Sequence, residues 1–325
     1  MKKFKRINNF LIFLGLFFLV FAPAHAQSKP QKLTVVLDWF INPDHAPLFV
    51  AEDQGFFKEQ GLEVTLISPA DSSDPPKLVA AEKADLAITY EPEFIDQIEQ
   101  GLPLITIGTL IDQPLNCLLL LGEGSIRTLA DLKNKKIGSS SGGIKILMLK
   151  TMLQKQGLAL RDIELINVRH NLLQALLARK VDAISGAMRN IEAQELEYYG
   201  HKALLFFPEK NGIPSYSELI FVVNKKSLHN PNTRLSLQHF LLALEKAAAY
   251  LKKHPETCWQ AFSKKYPALN NPLNHQAWSA SLPYFAIHPG KLSPPEWRAF
   301  IAFMRQNGLI KSNRPLSDYM TEILT

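Results

Sequence analysis

Cysteine is almost missing from this chain: Cys117 and Cys258 are the only two in 325 residues. Two thiols that far apart define no disulfide framework, so an oxidising compartment would permit a bond between them without requiring one. Neither has the local context of a nucleophile or a metal ligand, and no H-E-x-x-H or Cys/His ligand spacing occurs. Long apolar runs are also lacking: nothing after residue 26 is long enough to cross about 30 Å of hydrocarbon. There is no short-period repeat and no low-complexity tract. Charge of a single sign does not dominate either, with 36 basic against 30 acidic residues.

What is present begins at the amino end. Lys2, Lys3, Lys5 and Arg6 precede an apolar run over residues 10–21, and Ala24-His25-Ala26 follows. A basic start, a short apolar core and a small-x-small end describe a secretory leader over residues 1–26, with cleavage expected after Ala26 and delivery to the periplasm. Its loss takes the formal charge from +6 to +2, which removes the case for a nucleic-acid partner.

The remainder, about 300 residues, is large for one core, so two lobes are expected. Strand-like runs at 33–37, 62–67, 86–89 and 104–109 alternate with helical patterns at 47–60, 76–83 and 91–100. The order restarts with strands at 118–121, 136–138, 163–168 and 182–185, helices at 144–156 and 172–179, and a last strand at 219–223. From residue 232 the patterns turn helical, ending in an expected helix over 315–324. Alternation of this kind predicts an α/β fold in which each lobe is a mostly parallel sheet flanked by helices. The expected division is 27–116 plus 223–325 for a discontinuous first lobe and 117–222 for the second. Ligands in such sheets sit at the carboxyl ends of the strands, here an interlobe cleft.

Polar and aromatic residues gather at those ends. The first strand runs into Asp38-Trp39-Phe40-Ile41-Asn42-Pro43-Asp44-His45, the third into Tyr90-Glu91. Ser139 to Gly143 is a small-residue loop entering a helix, where free backbone N–H groups could hold a phosphate, carboxylate or formamide oxygen. Its counterpart reading is a plain tight turn. Asp38 could equally cap the following turn, and Glu91 before Pro92 could be first-turn helix chemistry.

The segment D-W-x-x-N-x-x-H-x-P, followed by Gly55-Phe56-Phe57 and Gly61-Leu62-x-Val64, resembles the opening of the thiamine-pyrimidine-precursor-binding family of periplasmic proteins. Asp85-Leu86-Ala87-Ile88, Leu129 to Gly138, Val181-Asp182-Ala183 and Asn190-Ile191-Glu192 extend the likeness over nearly the whole chain after the leader. The resemblance implies a two-lobed periplasmic-binding-protein fold of type II that captures an aminopyrimidine by cleft closure. A flat aminated ring needs a stacking face, for which Trp39 and Tyr90 offer π surfaces. It also needs hydrogen-bonding partners: Glu192 and Glu91 as acceptors, Asn42, Asn190 and His45 as neutral groups, and the loop residues Ser140, Ser141, Gly142 and Gly143. Glu192 is the expected partner of the exocyclic amine.

Binding without chemistry is the expectation, with no cofactor and no metal. Eukaryotic pyrimidine synthases that share the opening motif carry a cysteine-rich, iron-associated segment, and no cysteine cluster exists here. The expected partners are a small aminopyrimidine and the permease and ATPase of an ABC importer, with the binding protein a monomer. Two other readings stay open: a binder of an alkylsulfonate, taurine, nitrate or a riboflavin precursor, and a periplasmic-binding-fold enzyme of pyrimidine or quinone biosynthesis.

Overall fold

A computed structural model describes residues 29–140, 143–169 and 171–324. The expected leader lies outside the described residues, as do Ser141 and Gly142. In chain order the strands are β1 (Gln31–Val36), β2 (Leu62–Ile67), β3 (Leu86–Thr89), β4 (Leu104–Ile111), β5 (Asn116–Leu121), β6 (Lys136–Ser139), β7 (Glu164–Asn167), β8 (Ala183–Met188), β9 (Ala203–Phe206) and β10 (Leu219–Asn224). They form two five-stranded sheets, ordered β2-β1-β3-β10-β4 and β7-β6-β8-β5-β9.

Each sheet is parallel except for one reversed strand. In the first it is β10, antiparallel to β3 and β4; in the second it is β5, antiparallel to β8 and β9. These two strands follow the chain's two passages between the sheets. A strand that enters from the carboxyl ends of its neighbours must run back against them, which gives both sheets the same mixed pattern. The expected boundary after residue 222 falls inside β10, and every paired residue of that strand bonds to the first sheet. The edge strand β9, whose residues are only half-buried, had no strong alternation to announce it.

The helices are α1 (Ala46–Asp53), α2 (Phe56–Glu59), α3 (Asp74–Ala80), α4 (Glu91–Glu99), α5 (Gly143–Gln154), α6 (Leu172–Leu177), α7 (Glu192–Tyr198), α8 (Pro231–Lys253), α9 (Pro255–Lys265), α10 (Pro272–Ser281) and α11 (Pro294–Gln306). The single helix expected over 47–60 is broken in two by Gly55, whose φ of 75° no helix accommodates. Helix α8 starts cleanly because Asn230 Oδ1 accepts from the N–H groups of Asn232 and Thr233, with Pro231 in the first turn. Its stripe Leu237, Phe240, Leu241, Leu244 and Leu251 packs on the first sheet with α1.

The expected terminal helix over 315–324 is not formed. After a single turn at Leu316–Asp318 the chain extends: the Thr106 N–H donates to the Tyr319 carbonyl at 2.9 Å, and the Thr321 N–H to that of Thr106 at 3.0 Å. Strand β4 is a sheet edge with unpaired backbone groups, and the tail covers it while burying Tyr319 and Ile323.

Alternation along β10 splits the core. Phe221 joins a cluster with α1, α8 and α9, while Ile220 and Val222 join one with α4 and α11. That second cluster crosses between lobes: Tyr216 packs against Phe300 at 5.0 Å between centroids, and the apolar contact continues to Ile144 and Met148 on α5.

Candidate functional site

The segment after β1 is wired mostly to itself. Asn42 Oδ1 accepts the Asp44 N–H at 2.8 Å, and the Asn42 N–H donates to His45 Nδ1 at 3.2 Å. With Nδ1 an acceptor, the ring proton sits on Nε2 and is donated to Asp38 Oδ1 at 2.9 Å. The other oxygen of Asp38 accepts the Tyr90 hydroxyl at 2.8 Å. A capped turn followed by a helix forces this closure, since it folds His45 back over the end of β1. Asp38 and His45 are buried, and their hydrogen bonds fix the positions of Tyr90 and the turn. Trp39 and Phe40 are 39% and 60% exposed, with rings edge-to-face at 5.4 Å.

A narrow cavity lies where strand ends and both passages meet. Tyr90 contributes from the end of β3, Pro92 and Glu93 from the first turn of α4, Ile144, Lys145 and Met148 from the first turns of α5, and Met188 from the end of β8. Asn116, Tyr216 and Glu218 complete it from the two passages. Its volume is about 20 Å³, room for roughly one water. A ring ligand therefore enters only when the lobes part or these side chains shift.

The cavity is rich in carboxyl groups. Glu218 is 3% exposed, and burial raises its pKa to about 7 against the opposing hydrogen bonds from Leu115 and Asn116. Burial also raises Glu93, with the Lys145 ammonium acting against the rise. Lys145 stands in the first turn of α5, where the helix dipole disfavours a cation, so its place is supported by those carboxyls rather than by its own helix.

Other expected site residues stand beside this cavity. Glu192 Oε2 accepts the Met188 N–H at 2.8 Å and braces the turn that carries Met188; its pKa is raised, chiefly by burial. Glu91 is fully buried and accepts the Ser217 N–H at 2.8 Å, leaving Oε1 without a partner. Burial lifts its pKa to about 8. Asn190 is fully buried in a bridge between lobes: Nδ2 donates to Asp44 Oδ1 at 2.6 Å and lies 2.7 Å from Ser281 Oγ. Ser281 in turn donates to Asp44 at 2.9 Å, and burial lifts that carboxyl to about 6.

Ser139 Oγ donates to the Ser140 carbonyl at 2.9 Å, and Gly143 opens α5. Residues 138–142 also spell G-x-S-x-G at a strand-to-helix turn, the signature of a serine nucleophile. Among the described residues no histidine hydrogen-bonds to Ser140, and Ser141 and Gly142 of the motif lie outside them. Both cysteines are free and buried, and burial holds the Cys117 thiol well above its ordinary range.

Sequence reasoning missed Glu93, Asn116, Lys145, Met188, Tyr216 and Glu218. Two signals were readable: a lysine against the dipole at a helix start, and a glutamate directly before an apolar strand.

The NMT1/THI5-like family profile matches residues 42–258. The chain belongs to that family. It is 43% identical over 318 residues to a putative thiamine biosynthesis protein of Haemophilus influenzae, covering 98% of each chain. It is 28% identical to the formylaminopyrimidine-binding protein of Halalkalibacterium halodurans, over 87% of this chain and 85% of that one. A Legionella pneumophila relative named as a hydroxymethylpyrimidine phosphate synthase is 26% identical over 80% of this chain and 82% of its own. The structure superposes on the alkanesulfonate-binding protein SsuA of Xanthomonas axonopodis with a TM-score of 0.69 at 17% identity, covering 90% of this chain and 99% of that one. That likeness establishes the two-lobed periplasmic-binding-protein fold.

Proposed function

We propose that this NMT1/THI5-like protein is the periplasmic solute-binding component of an ABC importer and captures an aminopyrimidine precursor of thiamine between its lobes. The observation that carries the ligand class is the pair of carboxyl groups, Glu93 and Glu218, on the cavity wall. In their ionised forms these groups accept hydrogen bonds from an amine and repel a sulfonate or nitrate, and one ammonium on Lys145 does not outweigh the two. Tyr90 and Tyr216 supply aromatic surface for a flat ring. The family membership and the named formylaminopyrimidine binder point to the same chemistry.

One oxygen each of Glu91, Glu192 and Glu218 holds a backbone N–H and Asp44 holds the bridge between lobes, an arrangement that supports capture without turnover. Isothermal titration of the protein lacking residues 1–26 against hydroxymethyl- and formylaminomethyl-aminopyrimidines, taurine and nitrate tests the assignment. Binding of an aminopyrimidine alone, recovered unchanged, is the expected result. Binding only of the anions removes the ligand assignment, and chemical conversion of the bound pyrimidine places the protein with its synthase relatives.

A further inference from the structure

Glu218 holds an unusual position. It directly precedes β10, on the passage that returns the chain to the first sheet, and it lines the cavity. Its Oε2 accepts two backbone hydrogen bonds from the other passage, from the Leu115 N–H at 2.6 Å and the Asn116 N–H at 3.1 Å. Arg189, from the end of β8, holds the carbonyls of the same two residues, through Nε to Leu115 at 3.3 Å and Nη2 to Asn116 at 3.1 Å. One carboxylate oxygen thus ties the two passages together. The other, Oε1, receives no hydrogen bond from any described residue, and it is not among the polar atoms sealed from solvent without a partner. On a side chain that is 97% buried, the accessible space left to that oxygen is the cavity.

We propose that Glu218 is the residue that recognises the ligand's amino group, Oε1 accepting its N–H while Oε2 keeps the two passages clamped. This rests on the aminopyrimidine reading and assigns its polar selectivity to Glu218 in place of Glu192, whose Oε2 braces Met188. Recognition and closure then share one group. A ligand N–H drawn to Oε1 redistributes charge within the carboxylate and alters the hydrogen bonds that Oε2 makes to the passages about which the lobes move.

The test uses titration of the protein with a hydroxymethyl-aminopyrimidine and with the same ring bearing oxygen in place of the amine. In Glu218→Gln the amide oxygen can still accept from Leu115 and Asn116, while its NH2 faces the ligand amine donor to donor. The expected result is a roughly 10- to 100-fold weaker affinity for the amino compound, the scale of one hydrogen bond to a charged group. The oxo compound should lose far less, and Glu192→Gln should keep the preference of the parent for the amine. A second measurement needs no variant: the amide resonances of Leu115 and Asn116 should shift on binding of the amino compound. Equal losses for both rings in Glu218→Gln, loss of the preference in Glu192→Gln alone, or unmoved Leu115 and Asn116 amides would each overturn the proposal while leaving the ligand class standing. Failure of the parent to bind any aminopyrimidine overturns both.

Discussion

Buried acids carry the chemistry of this molecule one residue at a time, and each has a different counterpart. Glu91 is hydrogen-bonded by Ser217, but burial outweighs that and raises its pKa from 4.5 to about 8. The folded state therefore keeps a proton that the unfolded chain releases between those values. Stability falls as pH rises through that window, by up to about 1.4 kcal/mol per unit from this group. Glu91→Gln carries no proton to lose, so its melting temperature should gain steadily on the parent's from pH 4.5 to 8 and level off above. Identical pH profiles for the two would show that Glu91 ionises normally. Asp38 is the contrasting case, with donors on both oxygens. Tyr90→Phe removes one of them and should cost about 1.5–3 kcal/mol in chemical denaturation, the range for a hydrogen bond to a charged group. The motif carrying Asp38, Asn42 and His45 was legible as a resemblance, but the turn is capped by Asn42 and not by Asp38, whose oxygens accept from His45 and Tyr90 instead. Glu218 was not, because its partners lie more than a hundred residues away.

Elements were readable where a stripe or a cap marked them, as in α8 and in the strands of the first sheet. They were misread where a neighbour decided. The tail over 315–324 has helical composition, yet an open edge on β4 offers it backbone partners and draws it straight. Gly108 on the same strand shows how closely the surrounding chain approaches. A Cβ there would stand 2.6 Å from the Pro289 carbonyl oxygen and 2.8 Å from Leu241 Cδ2, with the Thr109 N–H bonded to that same carbonyl at 2.8 Å. Gly108→Ala should destabilise by about 1–3 kcal/mol through overpacking, measured by denaturant midpoint at unchanged m-value. A neutral result would mean that the segment around Pro289 yields without loss.

At the scale of the whole molecule, polar contacts join the lobes beside the apolar cluster around Tyr216 and Phe300. The passages are clamped by Glu218 and Arg189, and the far side is bridged by Asn190, Asp44 and Ser281. The bridge removes a carboxyl from water and compensates it with a Ser281 bond from its own lobe and an Asn190 bond that exists only when the lobes meet. Asn190→Ala leaves Asp44 buried with one donor fewer, so the closed arrangement should weaken. Stopped-flow dissociation of a bound aminopyrimidine should then quicken by roughly tenfold, the equivalent of about 1.4 kcal/mol. An unchanged rate with an unchanged scattering radius would show that the bridge does not govern closure.

The sequence by itself determined what depends on near neighbours and on periodicity: the α/β class, the two-lobe plan and the family resemblance. Only the tertiary structure decided which polar groups face one another. It left Trp39 partly exposed, bonded His45 to Asp38 and Asn190 to Asp44, and gathered Glu93, Lys145, Tyr216 and Glu218 from separate segments around one cavity. The physical reason is range. Hydrophobic patterning and caps act within a few residues, whereas a buried carboxyl is stabilised by whatever donors the fold brings to it, and those donors leave no trace in the chain beside it.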